Sequence, residues 1–247
     1  MELSFEVKTS FHDNIFVVRD DLFEGGTKAR FIHKLFNSVE EVVYASPAEG
    51  GAQTALAYSA KKLGKKATIF VAQRKEPHER TLLAKALGAR VFQVPCGYLN
   101  VVQSKAKRYC DDTGAFLAPF GMNLPESIEI ISNAAKSVPF YPKEVWCASG
   151  SGVLARSLKI AFPRAEINAV QVGRTLSSED VAGAKIHIHN LKFSQKTKFK
   201  TPFPSDNHYD AKAYELCLKL KKSKDVLFWN VTGPANFYLK ELGVTVG

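Results

Sequence analysis

The chain has 247 residues, 45% of them hydrophobic, with 34 lysines and arginines against 24 aspartates and glutamates, a formal net charge of +10. That length and apolar share place it among soluble globular proteins of one or two domains. No apolar run approaches the roughly 20 residues needed to span a bilayer, and Met1-Glu2-Leu3-Ser4-Phe5-Glu6 lacks the basic flank and apolar stretch of a signal peptide, so a cytoplasmic location with no membrane partner is expected. Cys96, Cys110, Cys147 and Cys217 show no Cys-x-x-Cys spacing, which points to reduced thiols instead of a zinc site or a disulfide framework. The positive balance fits a polyanionic partner without establishing one.

Along the chain, apolar β-branched segments at 15–18, 41–45, 67–71, 91–94, 144–147, 167–172 and 226–229 read as strands, most of them separated by helical patterns. This is the pattern of an α/β fold with largely parallel sheets. A helix over 52–63 carries Ala52, Leu56, Ala60 and Leu63 along one side, ends at Gly64, and places Lys61 and Lys62 in its last turn, where they suit the negative end of its dipole. Residues 192–204 form a lysine-rich segment read as a loop or an interaction strand.

Four places carry chemistry. In Glu24-Gly25-Gly26-Thr27-Lys28-Ala29-Arg30, two glycines let the backbone approach a ligand closely just before Lys28, an amine suited to imine formation; an exposed helix-start lysine is the alternative reading. Ser149-Gly150-Ser151-Gly152-Val153 follows a strand and opens a helix, so its N–H groups and the helix N-terminus can face a phosphate, or it is a plain connection. Asp210 in His208-Tyr209-Asp210-Ala211-Lys212 reads as a helix N-cap or as a functional carboxylate, and Thr232 lies in the turn after the last strand. His187 and His189 share a face if 185–190 is a strand, but no third metal ligand is visible, and no metal is expected.

The Val18-Arg19-Asp20-Asp21-Leu22 run, the Gly-Gly-Thr-Lys-Ala-Arg motif, the turn and helix around Gly50-Gly51-Ala52-Gln53, and Leu87-Gly88-Ala89-Arg90-Val91 resemble, in order, the tryptophan-synthase-β-like (fold type II) family of enzymes dependent on pyridoxal 5'-phosphate (PLP). The likeness is greatest to the 1-aminocyclopropane-1-carboxylate (ACC) deaminase and D-cysteine desulfhydrase branch. The resemblance implies a two-lobed enzyme: a large cofactor domain from 1–42 and 129–247, a small inserted domain from 43–128, the cofactor in the cleft between them, and a homodimer. It makes Lys28 the Schiff-base lysine and the acid/base at the substrate α-carbon, with Thr27 in place of the family's asparagine. It makes Ser149, Gly150, Ser151, Gly152 and Val153 the phosphate loop. In Tyr209-Asp210-Ala211-Lys212, similar to the branch's Tyr-Glu-Gly-Lys, Tyr209 becomes a second catalytic candidate and Asp210 the partner of the pyridine nitrogen, with Thr232 hydrogen-bonding nearby. One departure is plain: the family's asparagine at the cofactor's phenolic oxygen is missing from Ser46-Pro47-Ala48-Glu49-Gly50-Gly51-Ala52-Gln53-Thr54. Glu49, Gly50, Gly51, Gln53 and Thr54 are the substrate-binding candidates that stand there, and Glu49 would repel a free amino-acid carboxylate.

Three functions follow as expectations. The first is a PLP-dependent enzyme labilising a bond at the α-carbon of a small amine or amino acid, by deamination, elimination, replacement or decarboxylation. The second is the same chemistry on an amino-acid-modified thymine in DNA, as in bacterial viruses that hypermodify their DNA. The third is an inactive PLP-type fold binding nucleic acid or protein, for which Lys192, Lys196, Lys198 and Lys200 interleaved with Phe193 and Phe199, and the later cluster Lys219, Lys221, Lys222 and Lys224, offer a footprint; a solvated basic face explains the same residues.

Overall fold

A computed structural model describes residues 5–95 and 97–243, the side chain of Phe237 excepted. Met1–Ser4, which form part of the stretch judged against a signal peptide, and Cys96 lie outside the described residues. In chain order the elements are β1 (Thr9–His12), β2 (Ile15–Arg19), α1 (Ala29–Ile32), β3 (Glu41–Ser46), α2 (Ala52–Leu63), β4 (Lys66–Ala72), α3 (Glu79–Ala86), β5 (Arg90–Val94), α4 (Leu99–Thr113) and β6 (Phe116–Leu117). They continue as α5 (Pro125–Lys136), β7 (Glu144–Ser149), α6 (Val153–Ala161), β8 (Glu166–Gln171), β9 (Lys185–Ile188), α7 (Asp210–Leu220), β10 (Val226–Asn230) and α8 (Ala235–Glu241). All seven expected strands are present, and the helix over 52–63 has those bounds, closed by Gly64 in the left-handed conformation.

Two compact units result, Met1–Phe23 with Asn123–Gly233 and Glu24–Met122 with Pro234–Gly247. In this division residues 24–42, Lys28 among them, fall in the smaller unit. The reason is packing that has no strand or helix period to announce it. Residues 26–36 form short helical turns on α2, with Gly25 against Ala55, and α8 buries Ala235 and Leu239 among Leu83, Ala84 and Leu87.

The larger unit holds a six-stranded sheet in the order β1-β2-β10-β7-β8-β9, parallel except for the β1–β2 hairpin. β7 is buried along its whole length, as a central parallel strand covered on both faces must be. Val145 and Cys147 face one layer with Ala155 and Leu158 of α6, while Trp146 and Ala148 face the other with Ala213 and Cys217 of α7. From β7 the chain crosses by α6 to β8, then returns by α7 to β10 on the other flank of β7. The strand order therefore reverses beside β7, the place where open parallel sheets form a crevice at the carboxyl ends of their strands.

The smaller unit is built on a four-stranded parallel sheet, β5-β4-β3-β6. Its core joins Val43, Ala45, Phe70 and Val94 to Val102 and Ala106 of α4. No helix among the described residues is long and apolar enough to cross a membrane. Cys110, Cys147 and Cys217 are free thiols.

Candidate functional site

In the larger unit the chain leaves β7 at Ser149, turns through Gly150, Ser151 and Gly152, and enters α6 at Val153. Gly152 is in the left-handed region at φ 88°, and a Cβ there would lie 1.8 Å from the backbone oxygen of Asp180, so only glycine fits. It caps α6 without a side-chain hydrogen bond, which leaves the first-turn amides of the helix without that partner. Ser149 is buried, and its hydroxyl has no hydrogen-bond partner among the described residues. A buried hydroxyl beside a glycine turn and a helix N-terminus is a donor set suited to a dianion.

The Gly150 backbone lies against the phenol of Tyr209, the residue that precedes α7: a Cβ on Gly150 would lie 3.5 Å from the phenol oxygen. Burial, and then the negative Asp210, push the Tyr209 phenol well above the ordinary tyrosine range. The buried Cys147 thiol is raised by the same two causes. Asp210 is fully buried and is the first residue of α7; the N-cap is Tyr209, and no side chain caps the helix. The capping role considered for Asp210 is therefore absent: its Oδ2 instead accepts the Thr232 N–H at 3.2 Å, tying α7 to the turn after β10. This unit thus brings the whole loop Ser149–Val153 together with Tyr209, Asp210 and Thr232 at the carboxyl ends of β7 and β10.

In the smaller unit Gly25 and Gly26 both take positive φ, and a Cβ on Gly25 would come within 2.9 Å of the Ala55 Cα. The double glycine lets the chain lie against α2 before Lys28, which is half-buried at the end of a 3₁₀ turn leading into α1. Lys28 is therefore not the fully exposed helix-start lysine of the alternative reading. The turn that precedes α2 uses its side-chain donors within itself. Ser46 Oγ donates to Pro47 O at 2.9 Å, Thr54 Oγ1 to Gly51 O at 2.8 Å, and Gln53 Nε2 to Ala48 O at 2.8 Å. Gln53 and Thr54 have thus committed their donors to the turn, while Gln53 Oε1 is buried without a partner. Glu49 and Gly50 are half-buried in the same turn.

Other sequence candidates separate. His187 Nε2 donates to Asn168 Oδ1 at 2.8 Å and the ring stacks on Trp146, while His189 pairs with Glu215 at 3.3 Å, so the two histidines have different partners. Among the described residues no group of three or more histidines, cysteines or carboxylates is placed to hold a metal. Sequence reasoning missed Asp180, whose backbone oxygen walls the phosphate-type loop from 28 positions away. It also gave no role to Asp20 and Asp21, buried at the end of β2, which accept from the Trp229 indole at 3.0 Å and the Asn230 amide at 2.8 Å. The signal available for both was weak: an aspartate pair closing a strand, and a glycine whose obstacle lies on another loop.

No protein-family model matches the chain, and no curated protein does. Solved structures do. An ACC deaminase homologue superposes with a TM-score of 0.80 over 97% of this chain and 93% of that one, at 16% identity. The processed form of threonine deaminase isoform 2 from Solanum lycopersicum gives 0.71 over 96% and 83%, at 14% identity, and O-ureido-L-serine synthase gives 0.69 over 98% and 92%, at 13% identity. At these identities the agreement is one of architecture, and the chain has the mixed, mostly parallel α/β fold of the fold type II PLP enzymes.

Proposed function

We propose that this chain is a PLP-dependent enzyme acting on an amino acid or another small amine. The observation that carries the reading is the anion cradle after β7, with its unpartnered buried Ser149 hydroxyl, joined through Tyr209 to the buried carboxylate of Asp210 at the reversal point of the sheet. A phosphate-bearing aromatic cofactor with a basic ring nitrogen needs both of those groups. PLP, when bound, supplies an electron sink for the pair released when a bond to the substrate α-carbon breaks.

The groups of the larger unit fit that cofactor. Ser149 Oγ and the amides of Gly150–Val153 would hold the phosphate. Asp210, kept from water, would accept the ring N–H and hold that proton in place, and its bond to Thr232 fixes its orientation. Tyr209, raised by burial, remains a proton donor at neutral pH. Lys28 Nζ would anchor the aldehyde carbon and afterwards move the proton at the substrate α-carbon. With Gln53 and Thr54 committed to their own turn, substrate contacts there fall to the Gly51 amide and to Glu49, which disfavours a free carboxylate. Deamination or elimination is the reaction class we favour, in keeping with the deaminases and the Escherichia coli diaminopropionate ammonia lyase among the structural neighbours. A cytoplasmic homodimer is part of the same proposal.

The test is addition of PLP to purified protein, followed by borohydride reduction and peptide mass analysis. A visible absorbance band and a reduced adduct on Lys28, both absent in Lys28→Ala, are expected. No band and no adduct in the wild type would leave the fold as a binding module without this chemistry.

A further inference from the structure

The larger unit carries its positive charge unevenly: residues 185–225 hold ten lysines against four carboxylates, while the rest of that unit is net acidic. Within this stretch no aspartate or glutamate occurs between His189 and Ser205, where Lys192, Lys196, Lys198 and Lys200 lie. Residues 196–200 belong to no helix or strand, yet their exposure alternates: Lys196, Lys198 and Lys200 are exposed, Thr197 is buried and Phe199 half-buried. That is the period of two of an extended chain, with every lysine on the outer face.

The inner face is firmly attached. Thr197 N–H donates to Asn207 O at 3.0 Å and its hydroxyl to Glu215 Oε2 at 2.9 Å, and the Phe199 N–H returns to the Thr197 hydroxyl at 3.1 Å. Upstream, the buried Lys212 ammonium donates to Lys192 O at 2.7 Å, and the His208 ring bonds Phe193 O at 3.0 Å. Phe193 and Phe199 pack against the core layer of Trp146, Tyr214 and Phe228. The aromatics considered as base-stacking partners are thereby turned inward, which removes the stacking half of that expectation and leaves the phosphate half. Glu215 also binds Lys219 at 2.6 Å, which places this ammonium beside the anchor of the ribbon.

We propose that the outer face of residues 196–200, with Lys219 at its side, is a docking surface for the sugar-phosphate backbone of nucleic acid. Two residues of extended chain advance about 6.6 Å, so the three ammonium groups form one row of like charge, complementary to the continuous row of phosphates along a nucleic-acid strand. A ribbon held by its inner face presents its lysines at that repeat with little chain entropy left to lose. Recognition is of charge and spacing, without base identity, since no aromatic or planar side chain projects from the outer face. This surface stands independently of the cofactor reading: it requires neither Lys28 nor the loop after β7.

The experiment is fluorescence anisotropy of a labelled random-sequence duplex against the full chain over a series of salt concentrations, with a polyglutamate peptide of matched charge as competitor. Lys196→Gln/Lys198→Gln/Lys200→Gln is compared with Lys61→Gln/Lys66→Gln/Lys85→Gln, an equal loss of charge from exposed positions of the smaller unit. Circular dichroism confirms that both variants are folded. The wild type is expected to bind with strong salt dependence. The ribbon variant is expected to bind at least tenfold more weakly, with the slope of log K against log salt reduced by about 2–3, and the control variant to change less than threefold. No duplex binding at low salt, an equal loss in the control, or competition by polyglutamate as strong as by DNA would each overturn the assignment.

Discussion

Two strand-to-helix turns in this chain look alike in sequence and differ in what they leave unfinished. Ser46-Pro47-Ala48-Glu49-Gly50-Gly51 joins β3 to α2 in the smaller unit; Ser149-Gly150-Ser151-Gly152 joins β7 to α6 in the larger. Both begin with a buried serine at the end of a parallel strand. The first spends its side-chain donors on its own carbonyls, through Ser46, Gln53 and Thr54, and leaves only an acceptor, Gln53 Oε1, buried without a partner among the described residues. The second keeps a buried hydroxyl without a partner and is supported from outside, by the Asp180 carbonyl at Gly152 and by Tyr209 at Gly150. A buried unsatisfied donor costs about 1–3 kcal/mol, so a turn that tolerates one is shaped for something besides its own stability.

The largest contrast should come from the glycines. In Gly152→Ala the new methyl meets a backbone oxygen at 1.8 Å on a residue already at φ 88°, whereas in Gly50→Ala its nearest neighbour, at 2.7 Å, is the serine Oγ, which can rotate. Gly152→Ala is expected to lose about 2–4 kcal/mol of stability and to weaken PLP binding about 100-fold. Gly50→Ala should lose about 0.5–1.5 kcal/mol, the bond that Ser46 gives up to Pro47 O when its hydroxyl rotates, and leave PLP affinity within a few-fold. Denaturant melts and PLP titrations of the two variants measure this; similar behaviour of both would erase the distinction between the turns.

The carboxylates near each turn give the next test. Asp210→Asn retains an acceptor for the Thr232 N–H but loses the charge, so kcat is expected to fall about 100-fold with PLP affinity changed only a few-fold. Glu49→Gln lies in the turn that uses its own donors and is expected to move KM for a free amino acid downward by roughly 3–10-fold with kcat little changed. A large kcat effect at Glu49 and none at Asp210 would reverse the roles assigned to the two turns.

Serine truncation sharpens the comparison further. Ser46→Ala removes a made hydrogen bond and should cost about 0.5–1.5 kcal/mol without touching PLP affinity. Ser149→Ala removes an unpaired buried hydroxyl, so stability should hold or rise slightly, while affinity for PLP, and for inorganic phosphate as a probe, should fall roughly 10-fold. Stability loss at Ser149 with unchanged phosphate binding would mark its hydroxyl as structural.

Much of this contrast was hidden in the sequence. The strands were legible because β2, β3, β4, β7, β8 and β10 are buried on both faces and therefore read as runs of apolar and β-branched residues, interrupted in β8 by Asn168. β1, with Thr9, Ser10 and His12 at an exposed edge, and the two-residue β6 carry no such signal. The candidate residues Lys28 and Ser149–Gly152 stood out because glycine punctuation is local. The unit boundaries did not, since the side on which residues 24–36 pack is decided by contact with Ala55 and α2 and not by any period of their own. Likewise, that Gln53 is bound to Ala48 and that Asp210 reaches past its own helix to Thr232 are facts of tertiary geometry.

The smallest expected effect tests whether the outside support of the β7 turn is itself held by a charge. The Asp180 carboxylate accepts the Ser177 N–H at 2.8 Å and pairs with Arg174, and these contacts, the Ser177 N–H first, hold it below the ordinary value of 3.8. A carboxylate depressed in the folded state adds stability that is fully present above its unfolded value and is lost as pH falls through the folded one. Asp180 is partly exposed, so its share of global stability is small, but its carbonyl is the wall behind Gly152. Carbon-detected NMR should show Asp180 titrating below 3.8, and amide exchange at residues 150–154 should quicken as that midpoint is passed, whereas residues 47–51, whose turn makes its bonds locally, should not respond. In Asp180→Asn the acid-dependent step should vanish and inorganic phosphate should bind a few-fold more weakly at neutral pH. Acid-induced exchange of equal size in both turns would mean that the charge at Asp180 stabilises only its own loop and that the Gly152 cradle is rigid without it.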